Sequence, residues 1–387
     1  MRILTNLLSL ERLGGVEVNT LEMCSALAAR GHDVHVLYGP PLAGPAGTED
    51  MRPELEAAGI TLHGPVPFAA TLTGALPGIV SFLPAARLGA RLRPDVVWLQ
   101  RSEHVLWGQT VAYRARSPLV VHLHHMPNYR RALRLLNLGV AGLLAVSEFI
   151  RQQWIARGVD PTRIQVLHNA VPTEAYPVGG PAERAAARTR LGVPADAPMA
   201  LYYGRLSRSK GLGVAVDAWA AVSAAHPDAH LVLAGDLDPS LDRALAGQVE
   251  DLVRNGRATV LPNQRTVVPL LHASDLVVFP TLLPEAFGRV ALESLMTGRP
   301  VLGSDIGGVP EVLSGPLARL LVPPADSSAL AAGVSALLTW PTLEPGLGAL
   351  CRAEAERHFP FDGQVDKLEE VLTNAATGHR PLIRRAG

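Results

Sequence analysis

Residues 276–303, LVVFPTLLPEAFGRVALESLMTGRPVLG, contain one complete strand–loop–helix–strand unit. The apolar run 276–279 predicts a buried strand, and the loop that follows it carries Glu285. A helix is expected to begin near Gly288 and to include Glu293, and the run 300–303 predicts the next strand. Strands joined through a helix in this way are the repeating unit of α/β folds, so this stretch decides the fold class.

The same alternation extends in both directions along the chain. Helices are expected between the strands, for example at 16–30 and 148–157, which predicts mostly parallel sheets with helices on both faces. A Pro- and Gly-rich stretch at 171–181 interrupts the alternation, which then restarts. Strands are predicted at 2–7, 33–37, 95–99, 119–124, 142–146 and 163–167 before this stretch, and at 200–203, 231–234, 259–261, 276–279, 300–303 and 320–323 after it.

The interruption predicts two doubly wound, Rossmann-like α/β domains. The first is expected to cover residues 1–175 and the second residues 176–359, and the segment 360–387 begins with an amphipathic helix at 361–372. Ligands of doubly wound folds bind at the carboxyl ends of the strands. We therefore expect the two domains to face each other across a cleft that contains the functional site.

The composition excludes several classes of protein. Apolar residues make up 48% of the 387 residues, which is enough for large buried cores. Lys plus Arg and Asp plus Glu number 35 each, so no bulk charge favours nucleic acid and any anion site has to be local. Cys24 and Cys351 form neither a metal-type spacing nor a disulfide framework, as expected in the cytoplasm.

No segment has the length of a transmembrane helix. The N-terminal run is short and is followed by Glu11 and Arg12, so we interpret it as the first strand and not as a signal peptide. The apolar stretch 69–83 falls short of the ~20 residues that span a bilayer. The stretches 69–93 and 129–136 mix leucines with arginines and could lie on anionic lipid at the inner membrane face, although an acceptor-site wall or ordinary packing explains them more simply.

The first predicted strand of the second domain leads into a loop with two cations. This loop, Gly204-Arg205-Leu206-Ser207-Arg208-Ser209-Lys210-Gly211, is expected to end at a helix start. Two cations together with free helix N–H groups suit a diphosphate, so Arg205 and Lys210 are predicted to bind one. Arg208 is interpreted as a solvated surface residue.

The stretch Glu285 to Glu293 combines carboxylates with a helix start. Glu285 can accept hydrogen bonds from sugar hydroxyls, and the free N–H groups near Gly288 can bind an anion or a hydroxyl. Glu293 lies two turns further on and can reach ribose hydroxyls. The alternative, that Glu293 is an ordinary exposed helix residue, is weakened by its neighbours Leu292 and Leu295.

The first domain offers weaker signals. Gly14 and Gly15 follow the first strand and permit backbone approach to a phosphate, although taken alone they are better explained by a plain strand-to-helix turn. His122 and His124 alternate onto one face of a strand end, where a cleft-facing polar role is favoured over metal binding because no carboxylate or cysteine stands nearby. Asp236-Leu237-Asp238 has the form of a metal-binding D-x-D element, but Arg205 and Lys210 could neutralise a diphosphate without a metal.

Taken together in their order, these stretches resemble the retaining GT-B glycosyltransferases of family 4, also called glycosyltransferase group 1. The similarity extends over nearly the whole chain, and the Glu-x7-Glu element combined with the Gly-Arg…Lys-Gly loop is specific. The segments that carry it are Gly14-Gly15-Val16-Glu17, Gly31-His32-Asp33-Val34, the strand ending at His124, Val146-Ser147-Glu148-Phe149-Ile150, His168-Asn169-Ala170-Val171, Gly204-Arg205…Lys210-Gly211, Ala234-Gly235-Asp236, Glu285-Ala286-Phe287-Gly288…Glu293 and Gly307-Gly308-Val309-Pro310-Glu311.

The resemblance implies roles for individual residues. Arg205 and Lys210 would stabilise the leaving nucleotide diphosphate without a metal, Glu285 would hold donor-sugar hydroxyls and Glu293 the ribose. His124 corresponds to the strand-tip histidine beside the reacting carbon. The remaining donor-binding residues implied are Gly14 and Gly15, which would approach the diphosphate, and Phe287, Gly288, Arg289 and Val290, which would help to bind the sugar and phosphate.

The resemblance also implies an activity. The chain would move a hexose-type sugar from a UDP- or GDP-sugar to a glycan, glycolipid or small-metabolite acceptor, with retention of configuration, domain closure and no cofactor. Its last helix would cross back onto the first domain. A sugar-nucleotide epimerase, a phosphorylase on the same fold and a non-catalytic binding protein are the alternatives; the intact Arg205, Lys210 and Glu285 argue against the last. Loops of the first domain at about 40–51, 66–76 and 126–133 are expected to form the acceptor site, but the sequence indicates neither the identity of the acceptor nor the oligomeric state.

Two positions depart from the family pattern. Ala170 stands where the family commonly has glycine, and because alanine lacks the conformational freedom of glycine, the local loop geometry is expected to differ. His125 stands where an acidic residue is frequent in the family, and this exchange is expected to alter the acceptor side of the site.

Overall fold

The computed structural model describes residues 1–42, 49–66, 68, 82–127, 136 and 138–378. The chain divides into two compact units. The first comprises Met1–Asn169 together with the described residues from Asp362 onward, and the second comprises Ala170–Phe361.

The first unit is built on a parallel sheet. Its described residues form seven strands in the order β3-β2-β1-β4-β5-β6-β7, so the direction of winding reverses between β1 and β4. The strands are β1 Arg2–Leu7, β2 Asp33–Tyr38, β3 Thr61–His63, β4 Val96–Leu99, β5 Leu119–Leu123, β6 Val140–Ala145 and β7 Ile164–Val166. The helices given bounds by the described residues before residue 170 are α1 Gly15–Ala29, α2 Arg52–Ala57, α3 Leu83–Leu92, α4 Val105–Ala115 and α5 Glu148–Ile155.

The second unit repeats the architecture, and all of its residues are described. Six parallel strands lie in the order β10-β9-β8-β11-β12-β13, with the reversal between β8 and β11. The strands are β8 Met199–Tyr203, β9 His230–Ala234, β10 Ala258–Leu261, β11 Leu276–Phe279, β12 Val301–Ser304 and β13 Leu321–Val322. The helices are α6 Pro181–Leu191, α7 Leu212–Ala225, α8 Arg243–Arg254, α9 Val268–Ala273, α10 Arg289–Met296, α11 Val309–Val312, α12 Ser327–Leu337, α13 Trp340–Leu343 and α14 Leu347–His358.

The last helix, α15 Phe361–Gly378, belongs to the first unit from Asp362 onward. Arg30, at the end of α1, donates to Asp366 at 2.6 Å and to Glu369 at 2.9 Å. His32 Nε2 lies 2.8 Å from Glu369 Oε1. These charged contacts hold the helix on the first unit, whereas its apolar side chains Val365, Leu368 and Leu372 are buried.

The predicted α/β class is confirmed, and all the predicted strands are present within two residues of the expected bounds. Strands β4, β5, β8, β9, β11 and β12 are buried at every residue, as expected for parallel strands covered on both faces, and they therefore form mostly apolar runs. Strand β3 escaped prediction because it has three residues, two of them polar. Ala170 is fully buried and is not among the residues with a positive φ, so its loop requires no glycine there.

Among the described residues, no helix combines the length and apolarity needed to cross a membrane. Of the stretches considered for lipid contact, residues 69–81 and 128–135 lie outside the described residues, as does part of the predicted acceptor loops at 40–51, 66–76 and 126–133.

Candidate functional site

Glycines bring three loops of the second unit together at the carboxyl ends of its strands. Gly211 has a φ of +79°, and a Cβ there would lie 1.8 Å from the carbonyl oxygen of Pro280. Gly235 has a φ of +144°, and a Cβ there would lie 1.8 Å from the carbonyl oxygen of Gly204. Only glycine permits such approaches. Because β8 lies between β9 and β11, the loop 204–211 is packed against the loops that follow both neighbours.

This packing joins two of the predicted site residues. Lys210 Nζ forms an ion pair with Glu285 Oε1, and the hydroxyl of the fully buried Thr281 lies 3.2 Å from the same carboxylate oxygen. The hydroxyl of Tyr202, a residue of β8, is 3.0 Å from the carbonyl oxygen of Lys210 and anchors the loop to the sheet. Burial, and then the negative charge of Glu285, raise the pKa of Tyr202 well above its usual range, so this hydroxyl stays protonated.

Arg205 is exposed at the start of the same loop. Asp238, from the candidate D-x-D element, accepts hydrogen bonds from the Ser240 hydroxyl at 2.6 Å and the Ser240 amide at 2.9 Å. These bonds, with a smaller contribution from the Arg205 charge, lower the pKa of Asp238. Arg208 pairs with Asp242 at the start of α8 on the exposed surface. Of the three cations in the loop, Lys210 therefore pairs with Glu285, Arg208 pairs with Asp242 at the surface, and Arg205 is exposed.

Glu293 is the centre of a buried hydrogen-bond network. Its Oε1 accepts from Arg289 Nε at 2.6 Å and from the Tyr176 hydroxyl at 3.3 Å, and its Oε2 accepts from the Tyr203 hydroxyl at 3.0 Å. Burial and the Glu293 charge raise the pKa of Tyr203 well above its usual range. With 7% of its surface exposed, Glu293 is not an ordinary surface residue, and the alternative interpretation is wrong.

The backbone of residues 285–288 is fixed by a second glycine pair. The Gly308 amide donates to the Glu285 carbonyl at 2.8 Å. A Cβ on Gly307 would lie 2.5 Å from the Glu285 carbonyl oxygen, and one on Gly308 would lie 2.7 Å from that of Ala286. These contacts set the start of α10, where Gly288 has a φ of +102°. A helix start of this kind is a common binding site for an anion or a hydroxyl.

Phe287 and Val290 both have local structural partners. Phe287 is 2% exposed and packs edge-on against Phe359, with ring centroids 5.2 Å apart. The Val290 backbone carbonyl oxygen lies 3.0 Å from the Tyr203 hydroxyl. The buried Phe287 side chain therefore stabilises the segment, and its backbone is the part of Phe287 that a ligand could contact.

In the first unit, Gly14 and Gly15 start the 15-residue helix α1 beside a buried carboxylate. Glu17, which is 2% exposed, accepts from Arg101 Nη2 at 2.7 Å. Arg101 Nη1 also lies 3.3 Å from His125 Nε2. The helix start is thus linked through Arg101 to the end of β5, and Arg101 balances the charge of Glu17.

His124 is 4% exposed at the end of β5, and its Nε2 lies 3.2 Å from Gln100 Oε1. Its ring centroid is 4.1 Å from that of His122, which stacks on Trp98. Burial, together with the charges of His122, His125 and Arg101, lowers the pKa of His124 well below its usual range, so the ring is neutral. Burial lowers the pKa of His122 to about 3.

No group of three or more His, Cys, Asp or Glu side chains in the described part of the chain is placed to hold a metal ion. The two histidines of the H-x-H element contact each other, His122 also stacks on Trp98, and Asp238 accepts hydrogen bonds from Ser240.

Several residues of these networks were not predicted. Tyr202 and Tyr203 immediately precede the Gly204-Arg205 loop, and Gln100 follows β4 directly. Polar residues at the carboxyl end of a buried strand are the signal that could have found them. Tyr176 lies in the segment expected to be a linker and gave no such signal.

The chain matches two family models. The one described as "Glycosyltransferase Family 4" covers residues 13–175, and the one described as "Glycosyl transferases group 1" covers residues 197–339. A D-inositol 3-phosphate glycosyltransferase of Acidothermus cellulolyticus is 28% identical over 95% of this chain and 87% of its own length. An alpha-maltose-1-phosphate synthase of Mycobacterium tuberculosis is 30% identical over 58% of this chain and 60% of its own.

A solved structure extends the comparison to the fold. The crystal structure of Anabaena HepE in complex with UDP and glucose has a TM-score of 0.81 and 22% identity, and the alignment covers 97% of this chain and all of that one. At this identity the likeness concerns the fold.

Proposed function

Because the chain belongs to the group 1, family 4-like glycosyltransferases and has the GT-B fold, we propose that it transfers a hexose-type sugar, with retention of configuration, from a nucleotide-diphosphate sugar to a hydroxyl acceptor. The observation that carries the proposal is the convergence of Lys210 and Glu285 at the carboxyl edge of the second sheet. A cation for the diphosphate and a carboxylate for sugar hydroxyls lie side by side there.

The surroundings of this pair suit a nucleotide-diphosphate sugar. The exposed Arg205 supplies a second cation on the same loop, and the start of α10 supplies N–H groups. Glu293 has three hydrogen-bond donors on two oxygens, and a carboxylate offers about four acceptor positions, so it retains capacity for a ribose hydroxyl. Gly14 and Gly15 at the start of α1 are proposed to approach the diphosphate.

The chemical step can be written without a covalent enzyme intermediate. The bond between the sugar C1 and the phosphate oxygen breaks, and its electron pair stays on the phosphate. The acceptor oxygen bonds to C1 from the same face and gives its proton to the departing phosphate oxygen. Arg205, Lys210 and the N–H groups of α10 stabilise the negative charge that develops; one such group typically contributes about 3 kcal/mol to lowering the barrier. Glu285 is engaged with Lys210 and Thr281, which supports a role in holding hydroxyls and not as a nucleophile.

We propose that neither a metal nor a cofactor takes part. The two cations of the 204–211 loop would neutralise the diphosphate in place of a metal. His124 of the first unit, neutral and buried, is proposed to face the donor sugar.

The names of the relatives suggest the first acceptors to try. The name D-inositol 3-phosphate glycosyltransferase indicates a phosphorylated polyol as the acceptor, and alpha-maltose 1-phosphate is the product that transfer of a glucosyl residue to glucose 1-phosphate would form. We therefore propose a small polyol, phosphorylated or not, as the acceptor. UDP-glucose heads the donor panel because HepE was crystallised with UDP and glucose.

The test is a panel of UDP- and GDP-sugars, each with and without inositol 3-phosphate, inositol and glucose 1-phosphate. Nucleotide release and the thermal stabilisation of the protein are measured. Release that depends on the acceptor supports transfer, and an α-linked product from an α-linked donor supports retention. Epimerised donor without an acceptor, or stabilisation without turnover, would replace the proposal by an epimerase or a binding protein.

A further inference from the structure

A hydrogen-bond relay leads to His124 through the middle of the first sheet. Thr5 on β1 pairs in register with Trp98 on β4, and Trp98 pairs with Val120 on β5. Since side chains alternate along strands, Gln100 shares the face of Trp98, and His124 shares the face of Val120. Thr5, Gln100 and His124 are each at most 4% exposed.

The hydrogen bonds of the relay have a defined donor–acceptor direction, because the first group in it, the carbonyl oxygen of Trp98, can only accept. The Thr5 hydroxyl lies 2.6 Å from the carbonyl oxygen of Trp98 and must donate its single proton there. The Thr5 oxygen can therefore only accept from Gln100, whose Nε2 is 3.0 Å away. The amide nitrogen of Gln100 thus points to Thr5, and its oxygen points to His124.

The orientation of Gln100 then fixes the histidine. Gln100 Oε1 lies 3.2 Å from His124 Nε2 and can only accept, so Nε2 carries the proton. In a neutral imidazole the other nitrogen, Nδ1, bears the lone pair. No described residue forms a hydrogen bond with Nδ1. The backbone of Gln100 is anchored as well, since its amide donates to Asn6 Oδ1 at 3.0 Å.

We propose that Gln100, oriented by Thr5, is a positioning residue that holds His124 as the Nε2–H tautomer, so that Nδ1 accepts a hydrogen bond from a hydroxyl of the bound sugar. The role of His124 toward the sugar rests on the proposed function, whereas the tautomer rests on the relay alone. A neutral acceptor nitrogen cannot protonate the leaving group. His124 therefore orients the sugar through a hydroxyl, and a ligand that lacks this hydroxyl forfeits the contact.

The tautomer can be tested on the full chain without any ligand. In ¹⁵N-histidine-labelled protein, long-range ¹H–¹⁵N correlations distinguish the protonated ring nitrogen from the bare one, and the His124 signals are assigned by their loss in His124→Gln. We expect protonation at Nε2. Thr5→Val frees the Gln100 amide to turn over, so we expect the proton to move to Nδ1. Thr5→Ser keeps the hydroxyl and the wild-type spectrum.

Thr110→Val is the matched control. It removes the hydroxyl of a partly buried threonine in the same unit. This hydroxyl donates to the Leu106 carbonyl and does not contact the relay. A wild-type His124 protonated at Nδ1, or a Thr5→Val spectrum identical to that of Thr110→Val, would overturn the proposal. Thr5→Ser also separates loss of the relay from misfolding, because it has the smaller side chain but an intact relay.

Kinetics test the consequence for turnover separately. With the active donor, we expect Thr5→Val and Gln100→Leu to lower kcat roughly 10- to 100-fold with little change in the donor KM, because a misplaced group affects the transition state more than binding. Thr5→Ser and Thr110→Val are expected to keep kcat. Loss of the tautomer with unchanged kcat would leave the transferase activity intact but show that His124 does not orient the sugar.

Discussion

Lys210 Nζ and Glu285 Oε1 form an ion pair in the second unit, although the two residues lie on loops that follow different strands. The side chains are 34% and 18% exposed, so the pair is partly shielded from water. If Lys210 binds the donor diphosphate and Glu285 the donor sugar, each holds the other in place before the donor arrives. Donor binding then exchanges one ion pair for two ligand contacts.

The first prediction concerns Lys210. Lys210→Ala removes a cation that stabilises the departing diphosphate, and we expect kcat to fall roughly 100- to 1,000-fold, as for the loss of one preorganised charge-stabilising group. Arg208→Ala is the control on the same loop, because Arg208 pairs with Asp242 at the surface. Steady-state rates at saturating acceptor provide the measurement; equal rates for Lys210→Ala and wild type would contradict the diphosphate assignment.

A second prediction concerns coupling between the two residues. Among the described residues, Thr281 is the one side-chain partner that Glu285 keeps when Lys210 is lost, so the effects of Lys210→Met and Glu285→Gln on thermal stability should not be additive. We expect the double variant to be less destabilised than the sum of the single ones, by about 0.5–3 kcal/mol, as for other residues in direct contact. Additive values would show that the ion pair does not contribute to stability.

The third prediction concerns Glu293. Tyr203→Phe removes one of the three donors to this buried carboxylate, which should destabilise the second unit by about 1–3 kcal/mol. The donor KM should rise as well, since Glu293 is proposed to bind the ribose and would be less well oriented. Tyr113→Phe, at a residue that is 69% exposed, is the control. A stability loss with an unchanged KM would assign Glu293 a structural role only.

The sequence predicted the strands well because most of them contain an apolar run that is buried on both faces, as in β8 and β11. It missed β3, whose burial is incomplete and whose three residues give no periodicity. In the site, Lys210 and Glu285 were predicted individually by their motifs. The contacts of Glu293 with Tyr203 and Tyr176 were not, because they span 90 and 117 residues and depend on the order of strands in the sheet.

The glycines illustrate the same division between sequence and structure. Gly307 and Gly308 were noticed as a motif, but the reason for them is the close approach to the backbone of residues 285–287, which only the folded chain provides. A motif therefore predicts the location of a site more readily than the contact that maintains it.

That close approach gives the fourth prediction. Gly308→Ala places a methyl group 2.7 Å from the Ala286 carbonyl oxygen and 2.8 Å from the Phe287 Cα, so either the 285–288 loop or α11 has to shift. We expect a loss of about 1–3 kcal/mol, typical of overpacking, together with weaker nucleotide binding. In the control Gly247→Ala, within α8, the added methyl meets no atom within 4 Å and should stabilise the helix by up to about 1 kcal/mol. Thermal unfolding and nucleotide titration would distinguish the two; equal effects would contradict the packing argument.

The fifth prediction concerns the stability of the protein at acidic pH. Burial lowers the pKa of His122 to about 3 in the folded chain, whereas the unfolded value is about 6.5. Below pH 6.5 the unfolded chain binds a proton at this residue that the folded chain does not bind. The contribution of neutral His122 to the free energy of unfolding is therefore fully present above pH 6.5, and it is lost progressively as the pH decreases toward 3. Between pH 7 and pH 5 this single group accounts for about 2 kcal/mol.

His122→Phe keeps a ring stacked on Trp98 and removes the titrating group, so it should reduce the loss between pH 7 and pH 5 by about 2 kcal/mol. Hydrogen-exchange protection of peptides from β4 and β5 reports the stability of this region directly. His226→Phe, at the end of α7 in the second unit, controls for the general effect of exchanging a histidine for phenylalanine. If the pH dependence of protection in β5 is the same in His122→Phe and wild type, then His122 does not resist protonation in the folded chain, and its burial among Trp98 and His124 has to be revised.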